Sequence, residues 1–149
     1  LYQINNAQIL HTAMSIHDQN ELKANAYKEA IRYMCNAKET LKKANKEGKF
    51  YQDKKYVQTA CGIAYNGVLL ALKSFLKIKG IDQKKREVQD IYYFRMKLGK
   101  IDQKLLKHVN NVYDILHLSG YYDGNPSVSS TMDGFELAYL IIEKIKPTS

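Results

Sequence analysis

One segment of the chain, residues 57–75, is apolar on almost every side of a helix. Its apolar residues recur at intervals of three and four, which is the spacing of a helix. A helix without a polar face must be covered by other helices. The segment therefore predicts the central helix of a bundle, with Asp53 as its N-cap and a stop at Gly80.

Four further segments have the same spacing with polar residues between the apolar ones. We predict a first helix from Ala26 to near Gly48, a third ending at Gly99 and a fourth ending at Gly120. The tetrapeptide Ile-Asp-Gln-Lys occurs just before the third and again before the fourth, and it predicts N-caps at Asp82 and Asp102.

The last helix is predicted to stop at Pro147. The candidates for its N-cap are Ser129, Ser130, Thr131 and Asp133. Glu136 lies three residues after Asp133 and would be its capping-box partner. No stretch alternates with period two, so the fold class is all-α, an up-and-down bundle of four to five core helices. Residues 1–20 fit the pattern poorly and are predicted to be an N-terminal extension, with a single bundle over 21–149.

Two glycines interrupt the central helix, at Gly62 and Gly67. Each costs about 1 kcal/mol relative to Ala in a helix interior. We therefore expect neighbouring helices to approach closely at these two positions.

The formal charge is +8, and lysine supplies most of the positive charge. Such a chain attracts polyanions at long range, but lysine acts as a solvated point charge more than as a reader of bases. Solvated helix ends, or the coding bias of an AT-rich genome, account for the lysines equally well.

The sequence carries no mark of a catalytic, metal or cofactor site. It has no hydrolase or phosphate-loop motif, and its histidines lack metal-ligand spacing. Cys35 and Cys61 are predicted to be buried free thiols, which favours a cytoplasmic protein. Polar residues interrupt the apolar segment Val57–Leu72, so no membrane span is expected.

The sharpest candidate site is the stretch ILHLSGYYDG, residues 115–124. It predicts a helix end with Gly120 as C-cap, and secondarily a ligand-binding edge. In an up-and-down bundle the lysine-rich first turn, after the first helix, and the lysine-rich third turn, after the third helix, lie at the same end. The basic second turn, after the second helix, lies at the opposite end with GYYDGNPS. Tyrosines there could stack on bases while cations hold phosphates; packing of the tyrosines on the bundle is the alternative. The candidate ligand-binding residues are His117, Tyr121, Tyr122, Asp123, Lys84, Lys85 and Arg86.

The order of four segments resembles the HEPN superfamily of small helical bundles, over roughly Ala26 to Pro147. The segments are YKEAIRYMCNAKETL, YVQTACGIAYNGVLLALKSFLKIKG, VNNVYDILHLSGYYDG and MDGFELAYLIIEKI. The sequence is most similar to an uncharacterised bacterial domain-of-unknown-function branch, through YQDKKYV and LHLSGYYDG.

The resemblance implies either a ribonuclease or a binding domain. HEPN ribonucleases carry an Arg followed four to six residues later by a His, usually doubled across a dimer. Here His117 stands where the Arg is expected and Gly120, Tyr121 and Tyr122 replace an Ala-Asp-Tyr turn; no Arg has a His at that spacing. We therefore predict a non-catalytic binding module that forms a homodimer, with RNA or another polyanion, or a protein such as a nucleotidyltransferase, as partner. A toxin-like ribonuclease with a degenerate site at His117 is the alternative.

Overall fold

A computed structural model describes residues 14–81 and 89–148. Within them lie five α-helices: α1 (Ile16–Lys42), α2 (Lys54–Ile78), α3 (Ile91–Ile101), α4 (Gln103–Val112) and α5 (Val128–Ile142). A π-helical segment, Tyr113–Tyr122, continues α4, and a 3₁₀ turn, Glu143–Ile145, follows α5. The two-residue strands β1 (Lys46–Glu47) and β2 (Phe50–Tyr51) pair antiparallel. The predicted all-α bundle is confirmed.

Helix α2 is the central element, as predicted. It packs against α1, the π segment and α5, and eleven of its residues are buried. By length and composition alone α2 could cross a membrane, but 56% of its apolar window is buried inside the bundle. The core helix of a folded bundle passes the same test of length and composition.

Side-chain caps fix most of the helix boundaries. The predicted N-caps Asp53 and Asp102 are confirmed: their carboxylates accept from the Lys55 and Leu105 N–H groups at 3.1 and 2.9 Å. Helix α3 begins instead after Asp90, which accepts from the Tyr93 N–H at 3.0 Å. The predicted cap Asp82 lies outside the described residues.

Two other boundaries differ from the prediction. Helix α1 begins at Ile16 after the N-cap Ser15, inside the segment predicted as an extension, and ends at Lys42 because a hairpin follows. Helix α5 begins at Val128, and its N-cap is Ser127, two residues before the first of the proposed caps. The Ser127 hydroxyl accepts from the Ser130 N–H at 3.3 Å.

The hairpin is fastened to the link before α5. Its Tyr51 N–H donates to the Pro126 carbonyl at 2.8 Å, and the Val128 N–H donates to the Lys49 carbonyl at 3.0 Å. Four strand residues are too few to leave an alternating pattern in the sequence. This hairpin marks one end of the bundle, which we call the hairpin end.

The prediction that the first and third turns lie at the same end of the bundle is wrong. Helix α3 starts beside the middle of α2, where Ile91 lines a cavity with Tyr65 and Leu69. It finishes at Asp102, which pairs with Lys144 at 3.5 Å. The pKa of Asp102 is lowered first by the hydrogen bond from the Leu105 N–H, then by Lys144 and, least, by Lys79, which follows the end of α2. Helix α3 therefore runs in the same sense as α2, and the third turn lies opposite the hairpin end.

Both interior glycines of α2 are close-contact positions, as predicted. A Cβ at Gly67 would lie 3.0 Å from the Tyr33 Cβ of α1, and one at Gly62 would lie 3.0 Å from the Tyr121 ring. Helix α1 and the π segment can therefore approach α2 more closely than a side chain would permit.

Candidate functional site

The candidate site is built on the π-helical winding of residues 113–122. In an α-helix, with 3.6 residues per turn, residue i+5 lies about 140° around the axis from residue i. In a π-helix, where the hydrogen bonds run from i to i+5, both i+4 and i+5 fall close to residue i. His117 consequently contacts both Tyr121 and Tyr122.

Five rings form a continuous group that we call the aromatic column: Tyr65, Tyr113, His117, Tyr121 and Tyr122. The His117 ring is stacked on Tyr65 at 4.7 Å between centroids and on Tyr121 at 5.8 Å. Tyr113 lies 5.1 Å from His117, and Tyr122 meets it edge-on at 5.1 Å. Such arrangements contribute about 0.5–1.5 kcal/mol per pair beyond burial.

Glycines let the column lie close to α2. Gly120 is buried within the π segment, where an added Cβ would lie 2.5 Å from the Cys61 Sγ and 2.7 Å from its Cβ. The prediction that Gly120 is a C-cap is therefore wrong, since the segment continues to Tyr122 and Asp123 caps it. The left-handed turn comes later, at Gly124, with φ of 62°.

Burial keeps the inner part of the column uncharged. It lowers the pKa of His117 below its ordinary value, and it raises the pKa of Tyr65 to about 12. Among the described residues, neither His117 nitrogen has a hydrogen-bond partner. His117 is therefore a neutral, stacked ring near pH 7.

The outer part of the column opens into a surface groove of about 400 Å³. Tyr121 and Tyr122 are 45% and 62% exposed there, beside Lys55, Gln58 and Thr59 of α2. The Gln58 amide nitrogen donates to the Tyr122 carbonyl at 3.1 Å, which fixes the π segment against the start of α2. The groove thus presents two aromatic faces next to an ammonium group and an amide.

The other predicted site residues are only partly in this groove. Asp123 is exposed at the C-cap of the π segment, and its N–H donates to the Leu118 carbonyl at 3.0 Å. Lys84, Lys85 and Arg86 lie outside the described residues. The cations on this side of the bundle are instead Lys54 and Lys55, which follow the first turn. Lys55 lines the groove, and the side-chain carbons of Lys54 pack against Gly124.

Sequence reasoning missed Arg95. Its guanidinium lies 5.1 Å from the Tyr113 ring centroid, and its Nε donates to the Asn110 Oδ1 at 2.7 Å. Arg95 and His117 thus contact the same ring from different helices. Because the two residues come from separate helices, no spacing in the sequence could have indicated their proximity.

Two further observations concern metals and thiols. Among residues 14–81 and 89–148, no cluster of three or more His, Cys, Asp or Glu side chains could hold a metal ion. Both cysteines are free, and Cys61 is buried as predicted. Cys35 is exposed, so its predicted burial is wrong, because it lies on the solvent side of α1.

Comparison with known proteins places the chain among its relatives. A solved protein of unknown function from Dyadobacter fermentans shares 37% sequence identity and a TM-score of 0.75, over 82% of this chain and 94% of that one. A search of the curated proteins found no match. The model of the family described as "Domain of unknown function (DUF5618)" matches residues 25–147, which include the whole aromatic column. The chain belongs to this DUF5618 family.

Proposed function

We propose that the chain is a binding module for single-stranded nucleic acid, with the outer aromatic column as its base-stacking surface. The observation that carries the proposal is the pair of exposed rings, Tyr121 and Tyr122, held against His117 and bordered by Lys55. Stacking on an aromatic ring contributes about 1–3 kcal/mol per base and tolerates any sequence.

Rigidity supports this role. Tyr121 lies on Gly62, and the Tyr122 backbone accepts from Gln58, so neither ring needs to be ordered when a base arrives. Preorganised aromatic rings lose little conformational entropy on binding. The formal charge of +8 adds a general attraction for phosphates.

The test is fluorescence anisotropy with a labelled ten-nucleotide RNA and the matching DNA, over a salt series. We expect micromolar binding at low salt, and a loss of roughly tenfold or more in Tyr121→Ala/Tyr122→Ala. The matched control is Tyr121→Phe/Tyr122→Phe, which keeps the rings and should bind like the wild type. Lys55→Gln should lower the salt slope by about one, whereas Lys28→Gln, on exposed α1 surface, should leave the affinity almost unchanged.

Two outcomes would refute this proposal. One is the absence of binding at low salt, and the other is equal binding by the alanine and phenylalanine double variants. Circular dichroism and thermal unfolding of each variant would separate a lost contact from a lost fold.

One observation favours a second function, the ribonuclease that the HEPN resemblance implies. Arg95 and the neutral His117 both lie 5.1 Å from the centroid of the Tyr113 ring, although they are far apart in sequence. A neutral imidazole can accept the proton of a ribose 2′-hydroxyl as that oxygen attacks phosphorus, and it can return the proton to the departing 5′-oxygen as the P–O5′ bond breaks. A guanidinium can stabilise the charge that develops on the phosphoryl oxygens. Gel analysis of RNA incubated with the wild type, His117→Ala and Arg95→Ala tests this directly. Intact RNA with the wild type would exclude it.

A further inference from the structure

A second groove, of about 570 Å³, lies between α1 and α5 beside the hairpin. Five of its lining side chains are apolar or aromatic: Leu41, Tyr51, Met132, Phe135 and Tyr139. None of them belongs to the aromatic column. The volume falls within the range of about 300–1,000 Å³ that is usual for sites of small molecules.

Three lysines border this groove at intervals of four residues: Lys38, Lys42 and Lys46. Lys42 is paired with Glu39 at 2.8 Å. For Lys38 and Lys46, no carboxylate of the described residues lies within ion-pair distance. Their ammonium groups lie instead over rings of the groove, Lys38 at 4.7 Å from the Tyr139 centroid and Lys46 at 6.0 Å from that of Tyr51.

The groove therefore combines an apolar floor with two ammonium groups that lack carboxylate partners. Apolar lining with a few placed polar groups is the usual make-up of a small-molecule site. Glu136 also lines the groove, so a ligand with negative charges along its whole length would place one of them against this carboxylate. A single anionic head on an apolar chain matches both features.

We propose that this groove binds a small amphipathic anion, a medium-chain carboxylate. The chain lies along Leu41 and Phe135, and the carboxylate lies at the border of the groove that carries Lys38 and Lys46. This site is separate from the nucleic-acid surface and does not depend on it.

Methionine methyl NMR with octanoate tests the proposal, since the probe stays monomeric at millimolar concentration. Met132 lines the groove and is the reporter, while Met96, exposed on α3 away from the groove, and Met34, fully buried, are internal controls. We expect a saturable shift of the Met132 methyl signal at a single site, with little change at Met96. Octan-1-ol, which lacks the charge, and butyrate, which lacks the chain, should bind at least tenfold more weakly.

Charge variants complete the design. Lys38→Gln/Lys46→Gln should weaken octanoate binding roughly tenfold, whereas Lys28→Gln/Lys104→Gln removes the same charge elsewhere and should leave it unchanged. The proposal is overturned if Met132 does not respond to millimolar octanoate. It is also overturned if Met96 responds equally, if octan-1-ol binds as well, or if the groove variant binds like the control variant.

Discussion

Replacing Gly120 by Ala tests the contact between the π segment and α2. The added methyl carbon would lie 2.5 Å from the Cys61 Sγ, 2.7 Å from its Cβ and 3.1 Å from the Ile115 carbonyl oxygen. Overpacking of this kind costs typically 1–3 kcal/mol, while Ala in a helix interior gains about 1 kcal/mol over Gly. Contacts of 2.5 and 2.7 Å place the cost in the upper part of that range, about 2–3 kcal/mol, so we expect a net loss of roughly 1–2 kcal/mol in the free energy of unfolding.

Urea denaturation followed by circular dichroism measures this loss, and thermal unfolding should show a decrease of about 2–4 °C per kcal/mol for a chain of this size. Gly62→Ala is the matched control, because its new Cβ would lie 3.0 Å from a Tyr121 ring carbon, a contact that a shift of a few tenths of an ångström relieves. In the double variant Cys61→Ala/Gly120→Ala, the loss should be less than the sum of the single losses, since the sulfur is gone. The reasoning is refuted if Gly120→Ala is as stable as the wild type, or if the two losses simply add.

Two further predictions follow from the titratable groups. Burial lowers the pKa of His117, so the unfolded chain protonates this imidazole at a higher pH than the folded chain does. The contribution of neutral His117 to the free energy of unfolding is therefore complete above about pH 6.5, and it is lost as the pH falls towards the pKa in the folded state. Thermal unfolding between pH 5 and 8 should therefore depend less on pH in His117→Gln, and an unchanged dependence would contradict the assignment. Burial raises the pKa of the Cys61 thiol to about 11, so a maleimide at pH 7 should label only Cys35 in the folded protein. Mass spectrometry of Cys35→Ser should show no rapid labelling; rapid labelling would mean that Cys61 is accessible.

The bundle and its central helix could be predicted from the sequence because they depend on local spacing. Asp53 and Asp102 are caps that act within three residues of themselves, and the apolar faces of α2 repeat regularly. The close contacts at Gly62 and Gly67 could also be predicted, since a glycine inside an apolar helix usually marks a place where a neighbouring element lies very near. These features need no knowledge of how the helices are arranged in space.

The composition of the site depends on that arrangement and could not be predicted. The direction of α3 decides which lysines accompany Tyr121 and Tyr122, and a periodic pattern carries no information on helix direction. The same applies to Arg95, which approaches Tyr113 only because α3 lies against α4 and the π segment. The π winding itself left no signal, since His117 and Tyr121 are four residues apart, as in any α-helix.

The π segment makes the site depend on chain length as well as on residue identity. A deletion of the exposed Asp114 alone would let residues 113–122 return to α-helical winding without removing any ring or changing the spacing between His117 and the two tyrosines. Tyr121, four residues after His117, would then still contact it, while Tyr122, five residues after His117, would turn away by about 140°. The surface that holds Tyr121 and Tyr122 together is therefore maintained by one extra residue per turn, and a change in residue number would remove it where most substitutions would not.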